Sequence, residues 1–575
     1  MPDGTDGAKT AADIAFERLG ARYVDESPAL SPVSATGLGD HRFDDRLDDV
    51  SPQSRAARVG FCTELLAELE AMPARELSRA NQVDAALLAH RLRAQVWQTE
   101  ALQEWAWNPM AYTGLAGSAV YTLTAREFAP LADRLRSAAA RLEQFPRLME
   151  QVRATLEPPR VPKVHAETAV KQNRGVIGIM TAMLAPHLDD LGPADRSRLV
   201  AAMESAKAAV EAQQTWLEDE LLPNAAGEFR LGAALYDRKL AFALHSPLSR
   251  GEIREQAEAE MARVREEMYE IAIGVYCKEH PYTAVPANPS PAYRQAIIRA
   301  GLERACLETP DPKRMVEQAT ECLERLTTFV RADGLVTVPP DPVEIIPMPE
   351  FRRGTSLAYC DSPGPLDVGQ RTFYAISPIP DDWTGEQVRS LLREYNLRSL
   401  TNLTAHEAMP GHFLQLTHAN RYPSTLRAML SSGPFIEGWA IYGEHVLVER
   451  GAYGEDPLMR LVVLKWLLRA ISNAILDQAV HVDGMEREEA MRLMREQTFQ
   501  EEREAAGKWT RAQLTSAQLS TYFVGYLEHT RIRRAVEAAW GADFDLRNYH
   551  DRLLSYGSPA PQYARALMLD EPIGR

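Results

Sequence analysis

The sequence predicts a mainly α protein with a small β-sheet set among long helices. Two observations carry this. Leucine, alanine, arginine and glutamate, all strong helix formers, dominate long stretches whose apolar residues recur at helical spacing. From Asp333 to about Asp382 the texture changes to proline and β-formers, and helical periodicity then returns nearly to the end. With 575 residues, 45% of them hydrophobic, the chain can bury a large core without disulfides or structural metals.

In chain order, residues 1–9 are polar and small and are expected to be disordered. Apolar periodicity then predicts helices over 54–69, 81–98 and 126–156. Pro158, Pro159 and Pro162 interrupt the pattern. It resumes over 167–191, 193–221, 252–277, 291–308 and 312–331. Short strands are expected at 335–338, 343–347, 356–359 and 372–376, where Val, Ile, Thr, Tyr and Phe cluster between prolines and glycines. Helices return at 385–395. The change at Asp333 divides the chain into a helical region, 1–332, and a region carrying the chemistry, 333–575, read as two walls of one cleft.

Composition narrows the function. There are 64 basic and 80 acidic residues, a net charge of −16, which disfavours phosphate backbones and anionic membrane faces. Cys62, Cys277, Cys306, Cys322 and Cys360 form no Cys-x-x-Cys pair, as in a reduced cytosolic chain. Residues 1–18 lack a basic start followed by an apolar stretch, and no apolar run reaches about 18 residues. A cytoplasmic location is therefore expected. No phosphate-binding Gly-x-x-x-x-Gly-Lys loop and no Gly-x-Ser-x-Gly elbow occurs.

The most informative stretch is Thr404-Ala-His406-Glu407-Ala-Met-Pro410-Gly411-His412-Phe-Leu-Gln415. Zinc hydrolases commonly carry two histidines on one helix face with a glutamate beside the first. Here the histidines are six apart, which on an ideal helix leaves them about 120° from each other. Pro410 and Gly411 relax that geometry, and a two-residue bulge would bring His412 back beside His406. The alternative is two ordinary histidines on a broken helix. Downstream, Phe435-Ile-Glu437-Gly438-Trp439-Ala-Ile-Tyr442-Gly-Glu444-His445 opens a second helix. Glu437 is placed to return as a third ligand, and Glu444, seven residues on, shares nearly its face. Two imidazoles and one carboxylate leave a position open for water, the catalytic zinc arrangement, with Glu407 as general base. The alternative for Glu437 and Glu444 is solvated helix charge, which is also the reading for Glu449.

The pattern His-Glu-x-x-Pro-Gly-His-x-x-Gln followed by Glu-Gly-Trp-Ala-x-Tyr-x-Glu resembles the bacterial family of domain of unknown function 885, clearly so from about residue 354 to 533. That family looks like a branch of the gluzincin metallopeptidases. The resemblance implies a large multi-helix metallopeptidase-like fold with the sheet near the active-site cleft, one zinc ion on His406, His412 and Glu437, and Glu407 as base. Asp477 and His481 resemble its Asp-x-x-x-His segment, Tyr522 to Gly525 its Tyr-x-x-Gly segment, and Arg533 a frequent arginine. Tyr522 or His481 would hold the oxyanion, and Arg533 a substrate carboxylate. Asp477 and Glu444 would support the site from behind. The strand containing Tyr374 matches the gluzincin edge strand that pairs with an extended peptide. Each has a plainer alternative: a core tyrosine, a surface arginine, an Asp477–His481 structural pair, a structural strand. Two departures stand out. Phe413 replaces a frequent histidine, and the family's members are often exported or lipid-anchored.

The function expected is a zinc-dependent hydrolase cleaving short peptides or amides. The alternatives are a non-peptidase amide hydrolase of small-molecule metabolism, and a helical binding protein whose metal site is structural or lost. Two imidazoles and a carboxylate accept several divalent metals.

Overall fold

Proline and capping residues set where the helices start. In the computed structural model, which describes residues 9–348, 357–380 and 382–574, Ser51 caps the helix Pro52–Glu70 and Ser78 caps Arg79–Trp97. A Ser249–Glu252 capping box opens the 30-residue helix Arg250–Glu279. The helices Pro193–Trp216, Pro291–Ala305 and Met315–Asp333 follow the expected periodicity, the last stopped by Gly334 at φ +66°.

Some expectations change. The stretch expected as one helix over 126–156 is two, Leu131–Leu142 and Phe145–Thr155, because Pro130 and Pro146 each suit a first turn and not an interior. The helix expected over 167–191 is Lys163–Met183 followed by a 3-10 turn. Helices Ala11–Glu26, Met110–Thr124 and Gly232–Leu244 are additional. The disorder expected of 1–9 concerns residues that, Lys9 apart, lie outside those described.

The segment 335–338 is not a strand. Leu335 and Val336 are buried. Its backbone groups are satisfied by side chains: Leu335 O accepts from His550 Nδ1, Thr337 O meets His418 Nε2, and Thr337 N donates to Asp551. Hydrophobic β-formers here anchor an extended strap.

Among the described residues the sheet has three strands, β1 (Val343–Pro347), β2 (Ala358–Asp361) and β3 (Thr372–Ile376). Their order is β1-β3-β2, with β1 parallel and β2 antiparallel to β3. Ser356, expected to start the second strand, lies outside the described residues. Tyr374 and Ile376 pack with Leu403, Phe413 and Trp439 in one core.

The change of texture at Asp333 is not a gap in the packing. Phe16, Leu65 and Leu88 pack with Leu426, Leu430 and Tyr563. Tyr236, Met268 and Ile298 pack with Leu464, Leu468 and Phe523. A buried ion pair joins Asp84 to Arg427 at 2.5 Å. No described helix is long and apolar enough to cross a membrane.

Candidate metal centre

The first two candidate ligands sit at a break between two helices. Asn396 caps the helix Leu397–Glu407, whose last two residues are His406 and Glu407. Pro410 has no N–H to continue the ladder, and a new helix, His412–Ala419, starts at His412. The continuous bulged helix expected from the sequence is therefore a break and restart. Gly411 N donates to Ala405 O at 2.9 Å, folding the link back onto the last turn. A Cβ on Gly411 would lie 1.8 Å from His406 O, so only glycine fits. The outcome is what the bulge would have supplied: the His406 and His412 rings lie 4.7 Å apart at 83°.

The third residue comes from the helix Gly433–Glu449, begun by Pro434 in its first turn. This helix is locked to the link between the histidines. Trp439 Nε1 donates to Pro410 O at 2.8 Å, and Gly443 packs under the Pro410 ring. On another side it crosses the helix Ser520–Trp540 at Gly438 and Gly525, where a Cβ on Gly438 would lie 2.2 Å from the Gly525 carbonyl carbon. Glu437 precedes that crossing by one residue.

These elements bring ligand atoms of His406, His412 and Glu437 within 4.8 Å of one another. Nε2 of His406 is 3.7 Å, and Nε2 of His412 3.6 Å, from Glu437 Oε2. These separations exceed a hydrogen bond. They approach the edge of a tetrahedron with bonds of about 2 Å, roughly 3.4 Å. Glu437 Oε2 is buried and makes no hydrogen bond, a costly arrangement unless a cation meets it. His406 Nδ1 contacts Glu444 Oε1 at 2.7 Å, and Glu444 Oε2 accepts from Asn402 Nδ2 at 2.6 Å. This is the carboxylate–histidine pairing that aims the other ring nitrogen at a metal. The donor set fits one divalent ion.

The charges agree. Burial would raise the Glu437 carboxyl, but His406 and His412 outweigh it and hold the pKa well below the usual carboxylate range. Burial likewise opposes charge on His406, and Glu437 and Glu444 overcome it, pushing its pKa well above an ordinary imidazole. Glu407 is 7% exposed, and with His406 it lines a cleft of about 440 Å³. Its carboxylate has no hydrogen-bond partner among the described residues. The side chains lining this cleft come from residues 357–511.

The remaining candidates are dispersed. Tyr374 is fully buried on β3, its hydroxyl 3.4 Å from Thr404 Oγ1. β3 is the central strand and has no free edge for a substrate; β2, whose Ala358 lines the cleft, lies at the sheet edge. His481 is buried in a π turn with Nε2 at 2.8 and 2.7 Å from the carbonyls of Ala512 and Thr515. It ties two helix ends together and is not among the residues lining the cleft. Asp477 accepts from Ala517 N and Ser520 Oγ at the start of the Ser520–Trp540 helix, rather than pairing with His481. Burial pushes its carboxyl up to about 7. Arg533 is committed to Glu449 through two bonds of 2.6 Å and to Glu537 at 2.7 Å. Glu449 is an exposed helix charge, as expected, and also the ion-pair partner of Arg533. Tyr522 meets the cleft through Arg511, which donates to its hydroxyl at 3.1 Å.

Sequence reasoning missed Asn402, although it lies one turn before His406 on the same face, and the cleft residues Trp383, Lys508 and Arg511, whose distance along the chain from the histidines hid them.

Residues 32–568 match a family described as "Bacterial protein of unknown function (DUF885)". The chain belongs to this family. Two solved structures resemble this DUF885 protein. One, a "putative lipoprotein of unknown function" from Shewanella oneidensis, is 31% identical, with a TM-score of 0.81 over 96% of this chain and 99% of that one. The other, a "putative lipoprotein" from Colwellia psychrerythraea, is 19% identical, with a TM-score of 0.79 over 97% and 100% of the two chains. No curated protein matches the DUF885 chain.

Proposed function

We propose that this DUF885 protein is a metal-dependent hydrolase of gluzincin-like fold that cleaves short peptides or amides, with zinc as its ion. The observation that carries the reading is the convergence of two imidazole Nε2 atoms and a buried, unpartnered carboxylate oxygen beside Glu407. His406, His412 and Glu437 would hold the ion. When bound, it supplies Lewis-acid polarisation of a carbonyl and lowers the pKa of water. Glu407 takes a proton from the attacking water on its carboxylate and returns it to the leaving nitrogen. Glu444 and Asn402 fix the His406 ring. A structural metal site would have no use for a free carboxylate facing a cleft, which argues against a binding protein.

Elemental mass spectrometry of wild type and His412→Ala tests the site, with about one ion per chain expected, lost in the variant. Glu407→Gln should keep the ion and lose about 10²–10⁴-fold in hydrolysis of a short-peptide library. An ion-loaded wild type that cleaves neither peptides nor simple amides would overturn the reading. Five unpaired cysteines support a cytoplasmic location, whereas the names of the two similar structures favour the cell envelope. Fractionation of the native host decides.

A further inference from the structure

The cleft that holds Glu407 is lined along one side of its wall by the helix Glu502–Leu514. Glu504, Lys508 and Arg511, at spacings of four and three, share one face of that helix, and all three line the cleft. The other carboxylates there are already compensated. Glu394 accepts from Lys465 at 2.8 Å and lies 3.4 Å from Arg469, Glu504 lies 2.5 Å from Arg469, and Glu501 lies 3.5 Å from Arg393.

Three lining cations make no close ion pair among the described residues. Arg503 lies over the Trp383 ring at 3.9 Å. Arg511 donates to two neutral oxygens, Gln518 Oε1 at 2.8 Å and Tyr522 Oη at 3.1 Å. Lys508 is 8% exposed and makes neither a hydrogen bond nor an ion pair among the described residues. Burial pushes its ammonium down to about 7. Glu504 and Glu394 act on this ammonium only at longer range, so its burial is incompletely offset. A carboxylate entering the cleft would relieve it through charge-assisted hydrogen bonds. Arg511, held by Gln518 and Tyr522, has its guanidinium oriented in advance, while Lys508 supplies a mobile point charge.

We propose that Lys508 and Arg511, flanked by Arg503, bind a carboxylate of the substrate, so that the site selects short peptides or amides that bear a free carboxylate at a chain terminus or on a side chain. As a statement about substrate this rests on the hydrolase reading; as a statement about anion binding it does not. Tyr522 becomes a positioning residue acting through Arg511.

Calorimetric titration of the full-length protein, with and without prior chelation, separates the two. The probes are N-acetyl-dialanine, its C-terminal amide, N-acetyl-glutamyl-alanine amide and inorganic phosphate. A probe bearing a carboxylate should bind about tenfold or more tightly than the neutral amide in both preparations, the gain of one charge-assisted contact. The free acid or the glutamyl probe, whichever holds the advantage, assigns the carboxylate to a chain terminus or a side chain. Lys508→Met and Lys508→Gln should abolish the advantage, and Lys508→Arg should restore it. Equal binding of the three organic probes, tighter binding of phosphate, or an undiminished preference in either folded neutral variant overturns the proposal. Carboxylate preference without turnover of any peptide would instead remove the hydrolase reading and leave the anion site standing.

Discussion

At the scale of single residues, the geometry of the candidate centre depends on groups outside the three candidate ligands. Glu444 is buried and bridges His406 Nδ1 and Asn402. Glu444→Ala should lower zinc affinity about 10–100-fold in chelator competition, with His406 and His412 intact. Asp477 carries a pH dependence. Burial raises its carboxyl to about 7 in the folded protein, against about 3.9 unfolded. Between those values the folded state binds the extra proton, so its contribution to stability falls as pH rises and levels off above about 7. Asp477→Asn removes the ionisation and keeps an acceptor for Ala517 N. Relative to wild type, the variant should gain on the order of 3 kcal/mol between about pH 4.5 and about pH 8, read by urea denaturation. A constant difference across that range would contradict this assignment.

At the scale of elements, glycine decides how closely the helices behind the candidate centre approach. Gly438 and Gly525 let the Gly433–Glu449 and Ser520–Trp540 helices cross almost in backbone contact. Gly438→Ala must push them apart, costing about 1–3 kcal/mol or more and displacing the adjacent Glu437. Thermal melts and metal content should fall together. Gly274 sits in the helix Arg250–Glu279 with open space around its Cα. Gly274→Ala should stabilise by about 0.4–1 kcal/mol, because there only chain entropy changes. The segment from Tyr522 to Gly525 gains a packing reason from the same crossing. Its glycine is demanded by a neighbouring backbone, a requirement that is invisible along one helix.

For the whole molecule, the two composition regions share their cores. Leu426, Leu430 and Tyr563 close the cluster begun by Phe16, Leu65 and Leu88, and the Asp84–Arg427 pair is buried between them. Residues 1–332 expressed alone should therefore expose apolar surface, bind a hydrophobic dye and unfold without a sharp transition. A cooperative melt of that fragment would show that the halves fold independently.

The helical texture, the small sheet and the residues that converge at the candidate centre were legible in the sequence, because each rests on local chemistry. Periodicity buries one helix face, Pro410 stops a helix, and His406, Glu407, His412 and Glu437 belong to two short motifs. The tertiary structure alone decided which charges remain free to act. Arg533 is spent on Glu449, 84 residues away, and His481 on the carbonyls of Ala512 and Thr515. β3 is closed by strands on both sides, while Lys508 and Arg511 make no close ion pair in the cleft that Glu407 lines. A side chain's availability is set by its neighbours in space, and a charge or a strand edge carries no local signal of which distant segment will claim it.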